Sequence, residues 1–421
     1  MKVSGIIAEY NPFHKGHQYH LEQTRSQTGA DFCVVVMSGS FVQRGAPAIT
    51  DKYTRAQMAL LGGADVVFEL PYVYATASAE LFSEAAVSFF DRLGCIDLLS
   101  FGSESASLPL LSLVARVLND EPEAYRNYLQ EQLREGQSYP RAVYGAFTRF
   151  LLESDTVSSS TIEQVCHLSD QLSMPNNILG IQYLRALLRL GSRIEPFCIQ
   201  RKGSGYHASA LTDHELCSAT ALREAIEQGD TMHRLRRYLP EESFELLAMR
   251  LLSSGFLTSD DLSPYLDYRL LTAGDLSVFA DMTPDLALRI QNRLLTPGRF
   301  GEWANALKTK NITYTHVCRA LLHTLIPVTK EEMIAFRPAG VPYARLLGFR
   351  ERALPLLHRM KVNSQIPILT KVADAEKKLS PETYALFEKD LLTSDLYRRI
   401  LHHKTGALLP DEYRAGVIRL S

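Results

Sequence analysis

The sequence predicts an α/β fold in which a Rossmann-like parallel sheet is followed by a mainly α-helical C-terminal domain. Two observations predict the sheet: short apolar runs rich in β-branched residues recur through the first hundred or so residues, and segments with helical periodicity separate them. A third observation predicts the helical domain, because Leu-rich segments with a period near 3.6 residues dominate after residue 238. The resulting β-α-β-α-β-α-β order implies parallel strands with helices on both faces.

The first strand is predicted at residues 3–10, where an apolar run comes just before the polar segment that begins at Asn11. The next buried strands are predicted at residues 32–37, 66–70 and 96–101. The intervening helices are predicted at residues 16–27, 53–61 and 77–90.

After residue 106 the pattern turns helical, and helices are predicted at residues 109–118, 121–133, 177–190 and 218–228. The Ser- and Thr-rich run at residues 154–161 predicts a loop. A fifth strand is predicted at residues 194–200, where Pro196 favours a sheet edge or a strand start. No strand is predicted beyond Tyr238. Because Pro240 interrupts the pattern, we predict two domains, residues 1–237 and 238–421.

Composition excludes several classes of protein. The 421 residues are 46% hydrophobic and 22% charged, which is typical of globular domains and not of disordered chains. No run approaches about 18 apolar residues, and the first thirty residues lack the features of a signal peptide, so we expect a cytoplasmic protein without a membrane span. The six cysteines form no C-x-x-C pair, which favours buried thiols over a zinc site.

Charge is distributed unevenly, although the net charge is only -2. Residues 231–421 carry 27 Lys and Arg against 21 Asp and Glu, whereas residues 1–230 carry 18 against 26. The second half is therefore the better candidate to contact a polyanion. A solvated helical surface would explain the same excess.

The sharpest chemical signal is the string NPFHKGH at residues 11–17, directly after the first predicted strand. An H-x-G-H pattern at a strand-to-helix junction supplies two imidazoles, His14 and His17, and a glycine where the backbone must pass close to a phosphate. The helix N-terminus would face the anion. Imidazoles beside an α-phosphate can stabilise charge while an acid attacks phosphorus and pyrophosphate departs. We therefore predict His14 and His17 as catalytic residues.

Several longer strings resemble one known family. They are EYNPFHKGH at 9–17, MSGSFVQRG at 37–45, FELP at 68–71, FGSE at 101–104, PNNILG at 175–180 and GSGYH at 203–207. Together they are similar to the bacterial tRNA(Met) cytidine acetate ligases, a branch of the HxGH nucleotidylyltransferase superfamily. The resemblance implies a sheet of the HxGH type. It also implies an enzyme that forms acetyl-adenylate and pyrophosphate from ATP and acetate, then acetylates N4 of the wobble cytidine of elongator tRNA(Met).

The resemblance also implies which residues bind ATP. The first group is the segment of Ile7, Ala8, Glu9, Tyr10, Asn11, Pro12, Phe13, His14, Lys15, Gly16, His17, Gln18, Tyr19 and His20. Further contacts are implied at Gly102, at Asn176 or Asn177, and at Arg201. Ser218, Thr220 and Arg223 resemble the second superfamily motif, which holds the β- and γ-phosphates. Plain N-capping by the two hydroxyls is the alternative.

Some assignments stay open at the level of sequence. Residues 38–45 follow the second strand and carry Arg44 to the ligand side, where acetate binding is one role for the loop. Mg2+ can accompany the ATP phosphates, but no protein metal site and no stable protein partner are predicted. The alternative functions are an adenylyltransferase acting on a phosphorylated cofactor precursor and a non-catalytic RNA-binding protein. A KMSKS-like string is absent, which argues against an aminoacyl-tRNA synthetase.

Contacts to tRNA are predicted in the helical half. Lys308, Lys310 and Arg319 are the first candidates, because phosphate neutralisation dominates RNA affinity. The basic residues between positions 345 and 361 and those between 397 and 404 are further candidates, and Tyr314 and Tyr397 could stack on bases. A solvated helix face is the alternative for each cluster.

Overall fold

A computed structural model describes residues 1–137, 139–153, 172, 174–201, 216–229 and 232–421. The predicted loop at residues 154–161 and the motif at residues 203–207 lie outside these described residues. No helix in the described part of the chain is long and apolar enough to span a bilayer.

Strands and helices alternate in the N-terminal half as the sequence predicts, with an additional two-strand hairpin and a short helix that it does not predict. Its strands are β1 (Val3–Ala8), β2 (Phe32–Ser38), β3 (Phe41–Val42), β4 (Ala46–Pro47), β5 (Val66–Leu70), β6 (Leu98–Ser103) and β7 (Glu195–Gln200). Its helices are α1 (Lys15–Thr28), α2 (Lys52–Leu61), α3 (Tyr72–Ala75), α4 (Ala79–Leu93), α5 (Leu108–Asp120), α6 (Glu123–Arg134), α7 (Tyr139–Leu152), α8 (Pro175–Leu190) and α9 (Ala219–Glu227).

The C-terminal half is mainly helical. Its helices are α10 (Met232–Arg236), α11 (Glu241–Ser254), α12 (Ser263–Thr272), α13 (Pro284–Gln291), α14 (Phe300–Leu307), α15 (Tyr314–Leu325), α16 (Lys330–Ala339), α17 (Leu354–Asn363), α18 (Ala375–Lys378) and α19 (Pro381–Thr405). Three strands also lie here: β8 (Ala344–Arg350), β9 (Ile368–Leu369) and β10 (Ile418–Leu420).

The main sheet has the strand order β10-β8-β5-β2-β1-β6-β7, with β9 beside β8. All neighbouring pairs are parallel except β5 and β8, which are antiparallel. The predicted parallel α/β sheet is therefore confirmed, and β7 lies at its edge, as Pro196 suggested. The prediction of no strand beyond Tyr238 is wrong: Arg345 and Gly348 interrupt the apolar run of β8, which hides its strand character.

Successive residues of β2 face opposite sides of the sheet, as the pleat requires. Val34 and Val36 enter one apolar core, while Val35 and Met37 enter the other. Helices therefore cover both faces of the sheet, in agreement with the βαβ order.

A short hairpin, residues 41–47, formed by β3 and β4, projects from the carboxyl end of β2 and packs on α15. Gly45 turns it with φ of 76°. A Cβ atom at Gly45 would lie 2.5 Å from the backbone nitrogen of Arg319. Only glycine fits this approach, so the hairpin rests directly on the backbone of a helix from the C-terminal half.

Candidate active site

A cavity opens at the carboxyl ends of β1, β6 and β7, the edge at which open α/β sheets bind ligands. The starts of α1 and α9 and the hairpin contribute to its walls. The lining combines the aromatic ring of Tyr183 with the polar side chains of His17, Arg44 and Arg223. One space thus offers apolar surface for a base and cations for phosphates.

The two histidines of the HxGH motif cap the start of α1. His14 Nδ1 accepts a hydrogen bond from the backbone N–H of Gly16 at 3.0 Å, and His17 Nδ1 accepts one from the N–H of His14 at 3.2 Å. The N–H of Lys15 donates to the carbonyl of Tyr238 at 2.9 Å. These first-turn N–H groups are already hydrogen-bonded within the protein, which differs from the expectation that they face the anion. Side chains must therefore provide most of the contacts to a bound phosphate.

Both imidazoles are neutral at pH 7. Burial, helped by Arg201 and Arg223, lowers the pKa of His14 to about 3. Burial, followed by the neighbouring His14, lowers the pKa of His17 well below its ordinary value. Since each Nδ1 accepts a hydrogen bond, the proton of each neutral ring is assigned to Nε2. The cap therefore fixes Nε2–H as the donor that each ring can offer.

The glycine of the motif is required by the cap itself. The rings of His14 and His17 stack with centroids 3.7 Å apart. A Cβ atom at Gly16 would lie 2.8 Å from Cε1 of His14. Any larger residue would push the His14 ring away from the helix start and disturb the stack.

Arg223 on α9 is fixed by two hydrogen bonds beside the cavity. Its Nη1 donates to the carbonyl of Asn11 at 2.7 Å, and its Nη2 donates to Oγ1 of Thr220 at 3.1 Å. Burial and then the nearby Arg44 lower the pKa of Arg223 to about 10. Two guanidinium groups that share a partly buried space repel each other, so an anion bound between them would be stabilised.

The second superfamily motif divides into two roles. Thr220 lines the cavity and accepts the hydrogen bond from Arg223. Ser218 is buried, and its Oγ caps α9 by accepting from the N–H of Ala221 at 3.1 Å. N-capping therefore describes Ser218, whereas Thr220 stays a candidate ligand contact.

Asn176 and Asn177 also take different positions. Asn176 lines the cavity, and its Nδ2 donates to Oε1 of Glu104 at 2.5 Å. Asn177 is fully buried, and its Oδ1 accepts from the N–H of Glu104 at 3.1 Å. Of the two, only Asn176 is placed to touch a ligand, while Asn177 holds the loop after β6.

Gly102 and Arg201 pack against each other at the carboxyl ends of β6 and β7. The N–H of Arg201 donates to the carbonyl of Ser103 at 3.0 Å. A Cβ atom at Gly102 would lie 3.1 Å from Cγ of Arg201. Gly102 therefore gives room for the exposed Arg201 side chain to cross the strand end, and both residues line the cavity.

His20 lies one turn further along α1. Its Nε2 is 3.0 Å from Oγ of Ser100, which is in turn 2.8 Å from Oγ1 of Thr24. Burial and then Arg201 lower the pKa of His20 to about 4. This chain of hydrogen bonds ties α1 to β6, while burial and Arg201 keep the ring neutral.

The structure brings most of the predicted ATP contacts together. Those that line the cavity are Ile7, Ala8, Glu9, Tyr10, Asn11, Gly16, His17, Tyr19, His20, Gly102, Asn176, Arg201, Thr220 and Arg223. Those that do not are Pro12, Phe13, His14, Lys15, Gln18, Asn177 and Ser218.

The list of predicted ATP contacts omits two residues of the hairpin, although the sequence predicts that its loop carries Arg44 to the ligand side. Gln43 and Arg44 both line the cavity, and the backbone N–H of Gln43 donates to Oε1 of Glu9 at 2.9 Å. The position of the loop after β2 is the signal that predicted the place of Arg44, and it gave Gln43 no role. Arg55 was also missed, since nothing in the sequence marks it: it is buried on α2 and donates to the carbonyls of Glu9 and Ser38 at 2.8 and 3.0 Å.

The predicted tRNA contacts do not form one surface patch. Lys308 and Lys310 are exposed. Arg319 is buried on α15 and pairs with Asp281 at 3.1 Å. Tyr397 is buried as well, with its Oη donating to the carbonyl of Ala48 at 3.0 Å. The two buried side chains serve packing in this structure, whereas Lys308 and Lys310, among the first three candidates, and Tyr314 are exposed.

Fold and site together define a HIGH-type nucleotidyl transferase. A sequence model described as HIGH Nucleotidyl Transferase matches residues 1–408. Among similar proteins, the tRNA(Met) cytidine acetate ligase of Halothermothrix orenii is 35% identical over 405 residues, covering 94% of each chain. That of a Thermoanaerobacter species is 38% identical over 422 residues, covering 100% of each. The chain therefore belongs to the tRNA(Met) cytidine acetate ligase family, as the sequence motifs predicted.

Solved structures agree with this membership. The apo crystal structure of Thermotoga maritima TmcAL superposes with a TM-score of 0.92, at 29% identity. The crystal structure of the same protein bound with alpha-thio ATP superposes with a TM-score of 0.89. Both matches cover 100% of each chain, so the likeness includes the helical half.

Proposed function

We propose that this chain is an ATP-dependent ligase that acetylates a cytidine of tRNA(Met). In detail, acetate and ATP form acetyl-adenylate and pyrophosphate, and the acetyl group then passes to N4 of the wobble cytidine of elongator tRNA(Met), which gives N4-acetylcytidine. Membership in the family supports the overall reaction. The arrangement of the cavity supports the finer steps.

One observation carries the proposal: a neutral imidazole and three guanidinium groups surround a single cavity at the carboxyl ends of the strands. His17 offers Nε2–H, while Arg44, Arg201 and Arg223 supply positive charge. Tyr183 adds aromatic surface to the same wall. This set suits a nucleoside triphosphate, because phosphates need charged donors and the base needs apolar cover.

In the proposed first step, a carboxylate oxygen of acetate forms a bond to the α-phosphorus, and the bond between that phosphorus and the bridging oxygen breaks. Pyrophosphate leaves with the bonding electrons. His17 donates through Nε2–H to the α-phosphate oxygens as their charge grows, and Arg223 with Arg44 holds the departing pyrophosphate. His14, which does not line the cavity, acts as a positioning residue through its stacked ring.

In the proposed second step, the N4 amine of cytidine attacks the acetyl carbonyl carbon. A C–N bond forms, the bond from that carbon to the AMP oxygen breaks, and the nitrogen releases one proton to solvent. AMP leaves. The protein mainly positions the cytidine amine beside acetyl-adenylate, because this mixed anhydride is already reactive.

Mg2+ is proposed to arrive on the phosphates of ATP. No group of three His, Cys, Asp or Glu able to hold a metal lies within the residues that the structure describes. The Mg2+ ion would partly neutralise the negative charge of the phosphates. We place the enzyme in the cytoplasm, where its tRNA substrate would be found.

The alternative of an adenylyltransferase for a small phosphorylated substrate is less well supported. The relatives match over nearly the whole length of this chain, including the helical half. A small substrate would not need that half. Intact His14, Gly16, His17 and Arg223 weigh against a non-catalytic RNA-binding protein.

Incubation with ATP, radiolabelled acetate and bulk tRNA, followed by nucleoside analysis, tests the proposed function. We expect labelled N4-acetylcytidine only when all three substrates are present, together with release of AMP and pyrophosphate. His17→Asn serves as the inactive control. Pyrophosphate release without any labelled cytidine would contradict the tRNA step, and absence of both would contradict acetate activation.

A further inference from the structure

We propose that a basic surface beside the start of α1, here called the α10 patch, binds the phosphate backbone of the RNA substrate. The α10 patch consists of Lys15, His233, Arg234, Arg236 and Arg237. The proposal rests on the proposed function, since it names the surface by which that reaction's polyanionic substrate is held. It differs from the tRNA contacts predicted from the sequence.

The α10 patch has a high density of positive charge. Residues 232–237 hold three arginines and one histidine, and no acidic residue. Arg234, Arg236 and Arg237 are exposed, as is His233. The buried Leu235 anchors the segment in the apolar core. A solvated helix face usually mixes both signs of charge, whereas every charged side chain within residues 232–237 is basic.

The α10 patch lies beside the elements that form the cavity. Immediately after it, the carbonyl of Tyr238 accepts the hydrogen bond from the N–H of Lys15 at 2.9 Å. Tyr238 and Leu235 share an apolar core with Phe13, which lies next to the HxGH histidines. Helix α10 also contacts α9, the helix of Arg223. The patch is therefore fixed against α1 and α9, two of the helices that supply the cavity with polar groups.

The positive charge of the α10 patch lies on the same side of the site as the start of α1. Arg44, Arg201 and Arg223 line the cavity, and the α10 patch adds exposed positive charge beside the start of α1. Arg236 pairs with Glu241, and both side chains are about half exposed, so this ion pair is screened by solvent. A base that enters the cavity brings the phosphates of its own and neighbouring nucleotides to the rim. Phosphate contacts of this kind fix the register of a nucleic acid.

Arg234→Gln together with Arg237→Gln tests the proposal without removing buried groups. Lys377→Gln with Lys378→Gln is the matched control, because it also removes two exposed positive charges. Those lysines lie on α18, which follows β9 at the far flank of the sheet from β1. Lys308→Gln with Lys310→Gln provides a comparison with the surface predicted from the sequence.

The measurement is the Kd of each variant for an elongator tRNA(Met) transcript as a function of salt, with the Kd for ATP measured on the same preparations. We expect the Arg234/Arg237 variant to bind tRNA about tenfold more weakly than the control. Its salt dependence should flatten by about one unit of slope for each lost phosphate contact. Arg234→Lys with Arg237→Lys should restore most of the affinity, because it keeps the charges.

If the Arg234/Arg237 variant had the same tRNA affinity and salt slope as the lysine control, RNA binding by the α10 patch would be contradicted. An equal loss of ATP and tRNA affinity in that variant would contradict it as well. These outcomes are separate from a failure of the proposed function. That failure would appear in the unmodified chain as an absence of acetylated cytidine, while the Kd measurement needs no catalysis.

Discussion

At the scale of single residues, the HxGH histidines act first on the structure of the site and through it on chemistry. Each Nδ1 accepts a backbone hydrogen bond, so the proton of each ring stays at Nε2. The sequence predicted the identity and place of these histidines from their position after the first strand. It could not predict the reciprocal cap, because that depends on the orientation of side chains.

Replacement of His17 by Asn should slow acetate-dependent pyrophosphate exchange by about 10²–10³-fold, since one donor to the developing charge is lost. ATP affinity should change much less, because the arginines remain. The exchange rate is measured by pyrophosphate exchange, and the ATP affinity is measured by equilibrium binding. His358→Asn, at an exposed position, is the control. Exchange at near-native rate in the His17 variant would contradict its assigned role.

The lowered pKa values of the histidines predict a loss of stability in acid. An unfolded histidine binds a proton below about pH 6.5, whereas folded His20 does so only near pH 4. Between these values the unfolded state binds more protons, so the free energy of unfolding falls as the pH falls. Urea unfolding across this pH range should show that the free energy of unfolding depends less steeply on pH in His20→Gln than in the unmodified chain. An unchanged slope would mean that His20 is already protonated in the folded state.

At the scale of elements, the hairpin of residues 41–47 is the part of the site that is hardest to predict from the local sequence. Its strands have two residues each, too short for a periodic signal. Its position depends on α15, which lies far away in sequence, because Gly45 packs on the backbone of Arg319. The buried Arg55 secures the same region by donating to the carbonyls at the ends of β1 and β2.

Gly45→Ala should weaken ATP binding, because a Cβ atom 2.5 Å from a backbone nitrogen must displace the hairpin that carries Arg44. Gly29→Ala is the matched control: Gly29 also has a positive φ, 67°, but a Cβ atom there meets nothing within 4 Å. The control should lose about 1 kcal/mol of stability from backbone strain and keep its ATP affinity. Equal ATP affinity in the two variants, measured by calorimetry, would show that the hairpin does not position the cavity.

At the scale of the whole molecule, the two predicted domains share one sheet. Strand β8 from the C-terminal half pairs with β5, although the boundary at residues 237 and 238 stays a prediction. The βαβ order and the helical second half were predictable from local periodicity. The pairing of β8 was not, because it depends on a contact across most of the chain.

A buried ion cluster joins the halves. Lys52 Nζ lies 2.7 Å from Oε2 of Glu69 and 3.1 Å from Oε1 of Glu412. Lys52→Met would leave Glu69 buried without its cation and Glu412 with the more distant Arg345, at 3.8 Å, and breaking a buried pair typically costs about 3–5 kcal/mol. Urea denaturation should show this loss, while Lys361→Met at an exposed position should stay within about 0.5 kcal/mol of the unmodified chain. A loss below about 1 kcal/mol for Lys52→Met would mean that water or rearrangement replaces the lysine.

The antiparallel pairing of β5 with β8 has a consequence for synthesis on the ribosome. Translation runs from the N-terminus, so β1, β2 and β5 leave the ribosome long before β8 is made. Until then, the outer edge of β5 presents unpaired N–H and C=O groups, a feature that favours association with other chains. Nascent chains that stall within the helical region should therefore need chaperone protection, whereas chains that have released β8 should not.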